Sequence, residues 1–145
     1  MKVDGRVPAA YRRVVVDTNV ILDVIENDPV WADWSQAQLD AASLQFTLVI
    51  NPVIYAELSI AYQRIEELEA MLKAAGLRLD PMPREALFLA GRAFLNYRKR
   101  RGTKSGVLPD FFIGAHAAVA GIPLLTRDTS RYKSYFPTLK LVAPA

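Results

Sequence analysis

The sequence predicts a three-layer α/β fold, in which helices cover both faces of a mainly parallel central sheet. Two observations support this prediction. Short apolar runs rich in Val, Ile and Leu alternate with amphipathic helical patterns along the chain, and such runs are typical of strands that are buried on both faces. The chain has 145 residues, the size of one ordinary domain. We therefore expect one domain over residues 13–145, preceded by a loose N-terminal extension over residues 1–12.

The first half of the chain predicts two strands and four helices. The β-branched run after Arg13 predicts the first strand, and a second is expected at residues 46–50. Asn51 and Pro52 predict a helix start, because Asn caps a helix and Pro suits its first position. The four helices are expected at residues 19–26, 30–43, 51–62 and 64–75, the last of them ended by Gly76.

The second half predicts three further strands and two long helices. The expected strands are residues 77–79, 122–126 and 139–142, and the expected helices are residues 83–101 and 110–120. Gly102 and Gly121 follow the two helices at the positions where glycine commonly ends a helix. The segment from Thr126 to Ser130 has the composition of a turn.

The composition excludes several kinds of active site. The chain has no cysteine and a single histidine, His116. A disulfide scaffold, a thiolate zinc site, a cysteine nucleophile and a ribonuclease with paired histidines are therefore excluded. His116 is expected about 240° around its helix from Asp110, facing away from it. Carboxylates remain as the main candidates for catalysis.

Four acidic residues occupy positions that are unusual for an acid, at strand ends or on apolar helix faces. Asp17 and Asp128 follow predicted strands, and ligands of such folds bind beyond the carboxyl ends of the strands. Glu57 and Asp110 lie on helices where their same-face neighbours are apolar. Each acid also has a structural alternative, since Asp17 and Asp110 could cap helices, Asp128 could form a turn and Glu57 could pair with Arg64. The predicted topology nevertheless directs all four to one end of the sheet.

Four clustered carboxylates predict a cation site. Two unit charges 4 Å apart repel by about 4 kcal/mol at an effective dielectric constant of 20. Such a cluster either takes up protons or binds a hard divalent cation. Oxygen ligands without histidine or cysteine favour Mg²⁺ or Mn²⁺. A cation held in this way can activate water and neutralise phosphate charge, so the site is a candidate phosphodiester hydrolase.

The distribution of basic residues leaves two interpretations open. The net charge is +3, and no acidic residue occurs between Ala86 and Pro109. That interval contains a basic patch, which consists of Arg98, Lys99, Arg100 and Arg101. The patch is either a solvated helix end, where cations favour the helix dipole, or a surface that contacts RNA phosphates.

The four acids lie in motifs that resemble those of a known family. VVVDTNVIL around Asp17, AEL around Glu57, PDFFIGA around Asp110 and LLTRD before and at Asp128 resemble, in order, the four acidic motifs of PIN-domain ribonucleases. The strongest likeness is to the VapC toxins of bacterial and archaeal toxin–antitoxin pairs. The resemblance extends from residue 13 to about residue 142.

This resemblance implies a PIN-like nuclease domain that cleaves RNA as an endoribonuclease and depends on Mg²⁺ or Mn²⁺. It also implies a cytosolic VapB-like antitoxin as a partner, and a homodimer. The acidic quartet, which would bind the metal and catalyse hydrolysis, is Asp17, Glu57, Asp110 and Asp128. Asn19 and Thr126 would be auxiliary polar groups. A surface for the partner is expected on the helices that carry Trp31, Trp34, Tyr55 and Tyr62.

Two alternative functions stay open. A phosphatase of the haloacid-dehalogenase type also has an acid after its first strand, but it needs a second acid two residues later, where this chain has Asn19. A PIN nuclease that processes RNA without being a toxin would share every motif. The N-terminal segment lacks the apolar core of a secretory signal, and no apolar stretch reaches the ~20 residues needed to span a membrane. We therefore expect a cytoplasmic protein.

Overall fold

The structure is a computed structural model that describes residues 12–100, 102 and 107–144. Residues 1–11 of the predicted extension and Arg101 of the basic patch lie outside the described residues. The strands are β1 (Arg13–Val16), β2 (Thr47–Ile50), β3 (Leu77–Leu79), β4 (Leu124–Leu125) and β5 (Leu141–Val142). The helices are α1 (Thr18–Ile25), α2 (Ala32–Ser43), α3 (Pro52–Ser59), α4 (Ile65–Ala75), α5 (Arg84–Lys99), α6 (Leu108–Ala120) and α7 (Ser130–Tyr135).

The five strands form one sheet in the order β3-β2-β1-β4-β5, and every pair is parallel. The predicted α/β class with a parallel central sheet is therefore confirmed. β1 is the middle strand, and Val14, Val15 and Val16 are completely buried. The chain passes from β1 to β2 on one side and reaches β4 on the other. The carboxyl ends of β1 and β4 therefore form the switch point at which such sheets bind ligands.

Helix α6 is fixed to its neighbours by small residues and by a close approach of rings. Helix α5 presents the buried Ala86, Ala90 and Ala93, and it makes the most extensive helix–helix contact of the described residues with α6. A Cβ atom at Gly114 of α6 would lie 2.6 Å from the ring of Phe136, so a larger residue at this position would have to displace that buried ring. The helix ends at Gly121, where the left-handed backbone (φ 67°) also favours glycine.

The largest difference from the sequence prediction is α7. A turn was expected from Thr126 to Ser130 and no further element before residue 139, whereas a six-residue helix begins at Ser130. Its local sequence is a weak helix signal, since most of SRYKSY is polar or aromatic. Tyr132 and Phe136 are buried to 2% and 4% exposure. Their burial explains why α7 forms, because helices this short depend on tertiary packing.

Other boundaries differ by a few residues. α3 ends at Ser59 rather than near residue 62, and β4 covers two residues rather than five. Among the described residues, none of the helices is both long and apolar enough to cross a membrane.

Candidate active site

Asp17 lies at the centre of the site, directly after β1. It caps α1, since its Oδ1 accepts the Thr18 amide at 2.8 Å. Its Oδ2 accepts hydrogen bonds from the hydroxyls of Thr126 at 2.8 Å and Tyr132 at 2.9 Å. Burial raises the pKa of Asp17 although these hydrogen bonds lower it. The Asp17 carboxylate thus both caps α1 and belongs to the acidic cluster.

Thr126 connects the first and the fourth motifs. Its hydroxyl donates to Asp17 and accepts the backbone amide of Asp128 at 3.1 Å. The Asn19 amide nitrogen lies 3.4 Å from the same hydroxyl and 3.5 Å from Asp17 Oδ2. The Asn19 Oδ1 is buried and has no hydrogen-bond partner among the described residues. A buried acceptor without a donor is costly, so this oxygen is suited to a water or a cation.

Glu57 enters from α3 and is half-buried. Its Oε1 accepts the hydroxyl of Thr18 at 2.6 Å, and its negative charge contributes to the raised pKa of Asp17. The alternative partner Arg64 pairs with Glu66 on the surface instead. Glu57 and Asp17 therefore belong to one electrostatic cluster, and the residue between them in space is Thr18.

Asp110 lies in the first turn of α6 and does not cap this helix, which begins at Leu108. Burial and the charges of Asp17, Glu57 and Asp128 raise the pKa of Asp110 to about 6, although Arg131 lowers it. Arg131 of α7 donates from Nη1 to Asp110 Oδ2. The pKa of Asp110 thus responds to the other three acids of the quartet.

Asp128 is the exposed member of the quartet. Its Oδ1 accepts a long hydrogen bond (3.4 Å) from Ser130, and its amide is held by Thr126. These contacts are those of the expected turn. The charge of Asp128 still raises the pKa of Asp110, so the turn also brings this carboxylate to the cluster.

The side chains as they stand do not form a closed metal-binding shell. Within residues 12–100, 102 and 107–144, no three acidic or histidine side chains converge closely enough to hold one ion. Hydrogen bonds to Asp17 and the ion pair of Asp110 occupy carboxylate oxygens. The chemistry of the donors fits a hard divalent cation, because all are oxygens and the buried Asn19 Oδ1 has no partner. The assignment of the quartet as metal ligands stays a prediction.

Asp23 is buried, with an exposed fraction of 3%. Its sequence position alone, four residues after Asn19 on α1, favours a solvated surface acid, and that interpretation is wrong. Its oxygens accept the Ser35 hydroxyl at 2.8 Å and the Arg127 guanidinium at 2.8 and 3.1 Å. Arg127 also lies over the ring of Trp31, 5.4 Å from its centroid. Because Arg127 stands between Thr126 and Asp128, this ion pair fixes the loop of the fourth motif to α1 and α2.

Sequence reasoning missed three contributors to the site. Thr18 had a signal, since a hydroxyl follows the first acid directly. Tyr132 and Arg131 had none, because both lie on the unexpected helix α7. His116 is buried and faces Asn51, whose Nδ2 lies 3.1 Å from its Nδ1. Burial lowers the pKa of His116, so a neutral core histidine results.

The described residues of the basic patch lie at the C-terminal end of α5. Arg98, Lys99 and Arg100 are exposed. The guanidinium of Arg98 lies over the Phe94 ring, 5.8 Å from its centroid, and that of Arg100 over the Tyr135 ring at 5.6 Å. These contacts orient the cations on aromatic faces and leave both interpretations of the patch open.

Solved structures of similar fold are toxin–antitoxin complexes. VapBC2 from Rickettsia felis, bound to a DNA fragment from its promoter, matches with a TM-score of 0.70 at 19% identity, over 92% of this chain and 99% of that chain. DNA-bound VapBC from Salmonella typhimurium matches with a TM-score of 0.67 at 16% identity, over 91% and 98%. VapBC-1 from nontypeable Haemophilus influenzae matches with a TM-score of 0.65 at 18% identity, over 90% and 97%. At these identities the likeness shows the fold.

The sequence itself identifies the family. A search of the curated proteins finds no match. The family model of the PIN domain matches residues 14–135. This interval includes all four acids of the quartet. The chain belongs to the PIN domain family.

Proposed function

We propose that this PIN domain protein is a metal-dependent endoribonuclease that acts as the toxin of a toxin–antitoxin pair. One observation carries the proposal: Asp17 is bonded to Thr126 of the fourth motif and linked through Thr18 to Glu57, while burial and the charges of Asp17, Glu57 and Asp128 raise the pKa of Asp110. Four acids of separate motifs thus act on one another electrostatically, while His116, the chain's one histidine, is buried elsewhere. This combination favours hydrolysis assisted by a cation over histidine-based cleavage.

Asp17, Glu57, Asp110 and Asp128 would hold Mg²⁺ or Mn²⁺, with Asn19 beside them. When bound, the cation would neutralise phosphate charge and lower the pKa of water for attack on the phosphodiester. The chain's own residues prepare the site for it. Thr126 and Tyr132 orient Asp17, and Thr18 orients Glu57. The basic patch of Arg98, Lys99, Arg100 and Arg101 would contact the RNA backbone.

The proposed partner is a small VapB-like antitoxin, since the similar solved structures contain such complexes. An open groove of about 400 Å³ lies between α1, α2 and α4, and its apolar lining includes Ile21, Leu39 and Met71. Trp31 and Trp34 do not line this groove, whereas Tyr55 and Tyr62 line a second groove of about 230 Å³ between α3 and α4. In the groove between α1, α2 and α4, an amphipathic segment of the antitoxin would meet aliphatic side chains. We also propose a cytoplasmic homodimer.

Expression and cleavage assays together test the proposal. The wild-type chain should arrest growth when it is expressed alone, and Asp17→Asn should relieve the arrest. Co-expression of the small protein encoded beside it should relieve the arrest as well. The purified chain should cleave RNA with Mn²⁺ and stop with EDTA, leaving 5′-phosphate and 3′-hydroxyl ends. Cleavage that survives EDTA or leaves 2′,3′-cyclic phosphates would contradict the metal-dependent mechanism.

One outcome distinguishes the toxin from a PIN nuclease that processes RNA. If the wild-type chain is harmless at a high level and still cleaves RNA in vitro, the toxin assignment is wrong and RNA processing replaces it. Release of phosphate from small phosphomonoesters without cleavage of RNA would favour the phosphatase alternative.

A further inference from the structure

Arg131 forms an ion pair with a member of the acidic quartet. Its side chain is 18% exposed and donates to Asp110, whose side chain is 28% exposed. The other ion pairs found between described residues, such as Arg127 with Asp23 and Arg13 with Asp80, do not include a member of the quartet. Arg131 therefore supplies positive charge at the place where the proposed function requires a divalent cation.

The guanidinium and a divalent cation cannot occupy Asp110 together at low cost. At a separation of 4 Å and an effective dielectric constant of 20, a unit charge and a double charge of the same sign repel by about 8 kcal/mol. The oxygen that accepts Arg131 is also unavailable as a ligand. This competition agrees with the finding that no three acids of the described chain converge on one point as the side chains stand. Cation binding at Asp110 therefore requires Arg131 to leave.

When Arg131 leaves Asp110, an RNA phosphate is the anion of the proposed reaction that its guanidinium could bind. The guanidinium is a planar fork that matches the oxygens of a phosphate, and it stays charged at every working pH. Its position on α7, beside the exposed Asp128 turn, leaves it at the edge of the site. A phosphate that approaches the quartet would arrive next to this side chain.

We propose that Arg131 is a substrate-binding residue that pairs with Asp110 in the metal-free site and transfers to an RNA phosphate when a divalent cation takes its place. This inference rests on the proposed function and assigns a further residue to the same site. It predicts an unusual pair of effects. Removal of the guanidinium should strengthen the binding of the cation and weaken the binding of the RNA.

Lys133 provides the matched control. It lies on the same helix, two residues further and so about 200° around it. It is exposed, and no ion pair to the quartet is found for it. Lys133→Gln removes the same unit of charge from α7 as Arg131→Gln. Only the second change should remove the contact with Asp110.

The experiment measures the two affinities separately in wild type, Arg131→Gln and Lys133→Gln. Calorimetric titration with Mn²⁺ should give about tenfold tighter binding for Arg131→Gln than for the other two proteins. Fluorescence anisotropy of a labelled single-stranded RNA in Ca²⁺, with the RNA checked for integrity on a gel, should give roughly tenfold weaker binding for the same variant. Unchanged or weaker Mn²⁺ binding overturns the proposal, and so does unchanged RNA binding.

A second variant keeps the test valid if Arg131→Gln does not fold. Arg131→Lys retains the charge and loses the planar fork, so both affinities should shift in the same directions by a smaller factor. If neither affinity shifts in Arg131→Lys, the proposal is wrong. Failure of the proposed function has a different signature, because then wild type neither binds Mn²⁺ nor cleaves RNA. Wild type that cleaves RNA with Mn²⁺, beside an Arg131→Gln variant of unchanged Mn²⁺ affinity, overturns the role of Arg131 alone.

Discussion

Thr126 donates a hydrogen bond of 2.8 Å to Asp17, although 109 residues separate the two in the chain. The contact follows from the register of the sheet, because Val16 of β1 is paired with Leu125 of β4. Asp17 and Thr126 directly follow these two paired residues. The first and the fourth motifs therefore meet through a hydroxyl, and the orientation of Asp17 depends on it.

Thr126→Val tests this contact, because the change keeps the shape of the side chain and removes the donor. We expect a loss of about 1–2 kcal/mol in the free energy of unfolding. We also expect Mn²⁺-dependent RNA cleavage to fall tenfold or more, because the lost energy of one oriented hydrogen bond to a charged group is on the order of that factor in rate. Thr129→Val is the control, since the Thr129 side chain does not cap α7. Equal activity of the two variants would contradict the role of Thr126.

The pH dependence of stability tests the electrostatic cluster. The folded pKa of Asp110 is about 6 and exceeds its usual value of 3.8, so the folded state binds more protons than the unfolded state between these values. The free energy of unfolding of the metal-free protein should therefore decrease as the pH rises from about 4 to 6, by about 2 kcal/mol from this group. Urea unfolding in EDTA measures this, and the decrease should be smaller in Asp110→Asn. A variant with the same pH profile as wild type would show that Asp110 is not perturbed.

The ion pair of the buried Asp23 with the partly exposed Arg127 tests whether the loop of the fourth motif must be held in place. Asp23→Asn should cost about 2 kcal/mol of stability, because it removes the charge that pairs with Arg127, whose side chain is 31% exposed. The double change Asp23→Leu with Arg127→Met should recover much of this stability and leave RNA cleavage low, since Thr126 and Asp128 lose their anchor. Thermal unfolding and cleavage rates measure the two effects. A double variant that is both stable and fully active would reduce the pair to a structural role.

The salt dependence of RNA binding tests the basic patch. If Arg98 and Lys99 contact phosphates, Arg98→Ala with Lys99→Ala should weaken RNA binding. The slope of log affinity against log salt should fall by about 0.7 for each lost contact with single-stranded RNA. Lys73→Ala with Lys140→Ala, which removes two exposed cations elsewhere, is the control. An unchanged slope for the first pair would assign the patch to a solvated helix end.

The sequence predicted those parts of the site that a pattern of neighbouring residues indicates. Asp17 and Asp128 follow recognisable strands, and Asn51 with Pro52 marks the start of the helix that carries Glu57. These signals lie within a few residues of each acid. The predicted parallel sheet then placed the strand ends together, which is why the meeting of the first and fourth motifs could be expected.

The partners of the acids could not be predicted, because each contact joins distant parts of the chain. Arg131 and Tyr132 lie on a six-residue helix whose stability comes from the burial of Tyr132 and Phe136. Burial of Asp23 depends on Arg127, which is 104 residues away. A single sequence contains no local signal for such pairs.

The strands of the sheet differ in length, and this difference affects how activity is lost on heating. β1 and β2 have four residues each, whereas β4 and β5 have two. The amide proton of Val49 should exchange with solvent only when the whole domain unfolds. Those of Asp17, bonded to the carbonyl of Leu125, and of Thr126, bonded to the carbonyl of Val142, should exchange through a local opening of β4 and β5 that has a lower free energy. Such an opening separates Thr126 from Asp17 and leaves the rest of the sheet intact. The enzyme should therefore become inactive at a temperature below the one at which it unfolds.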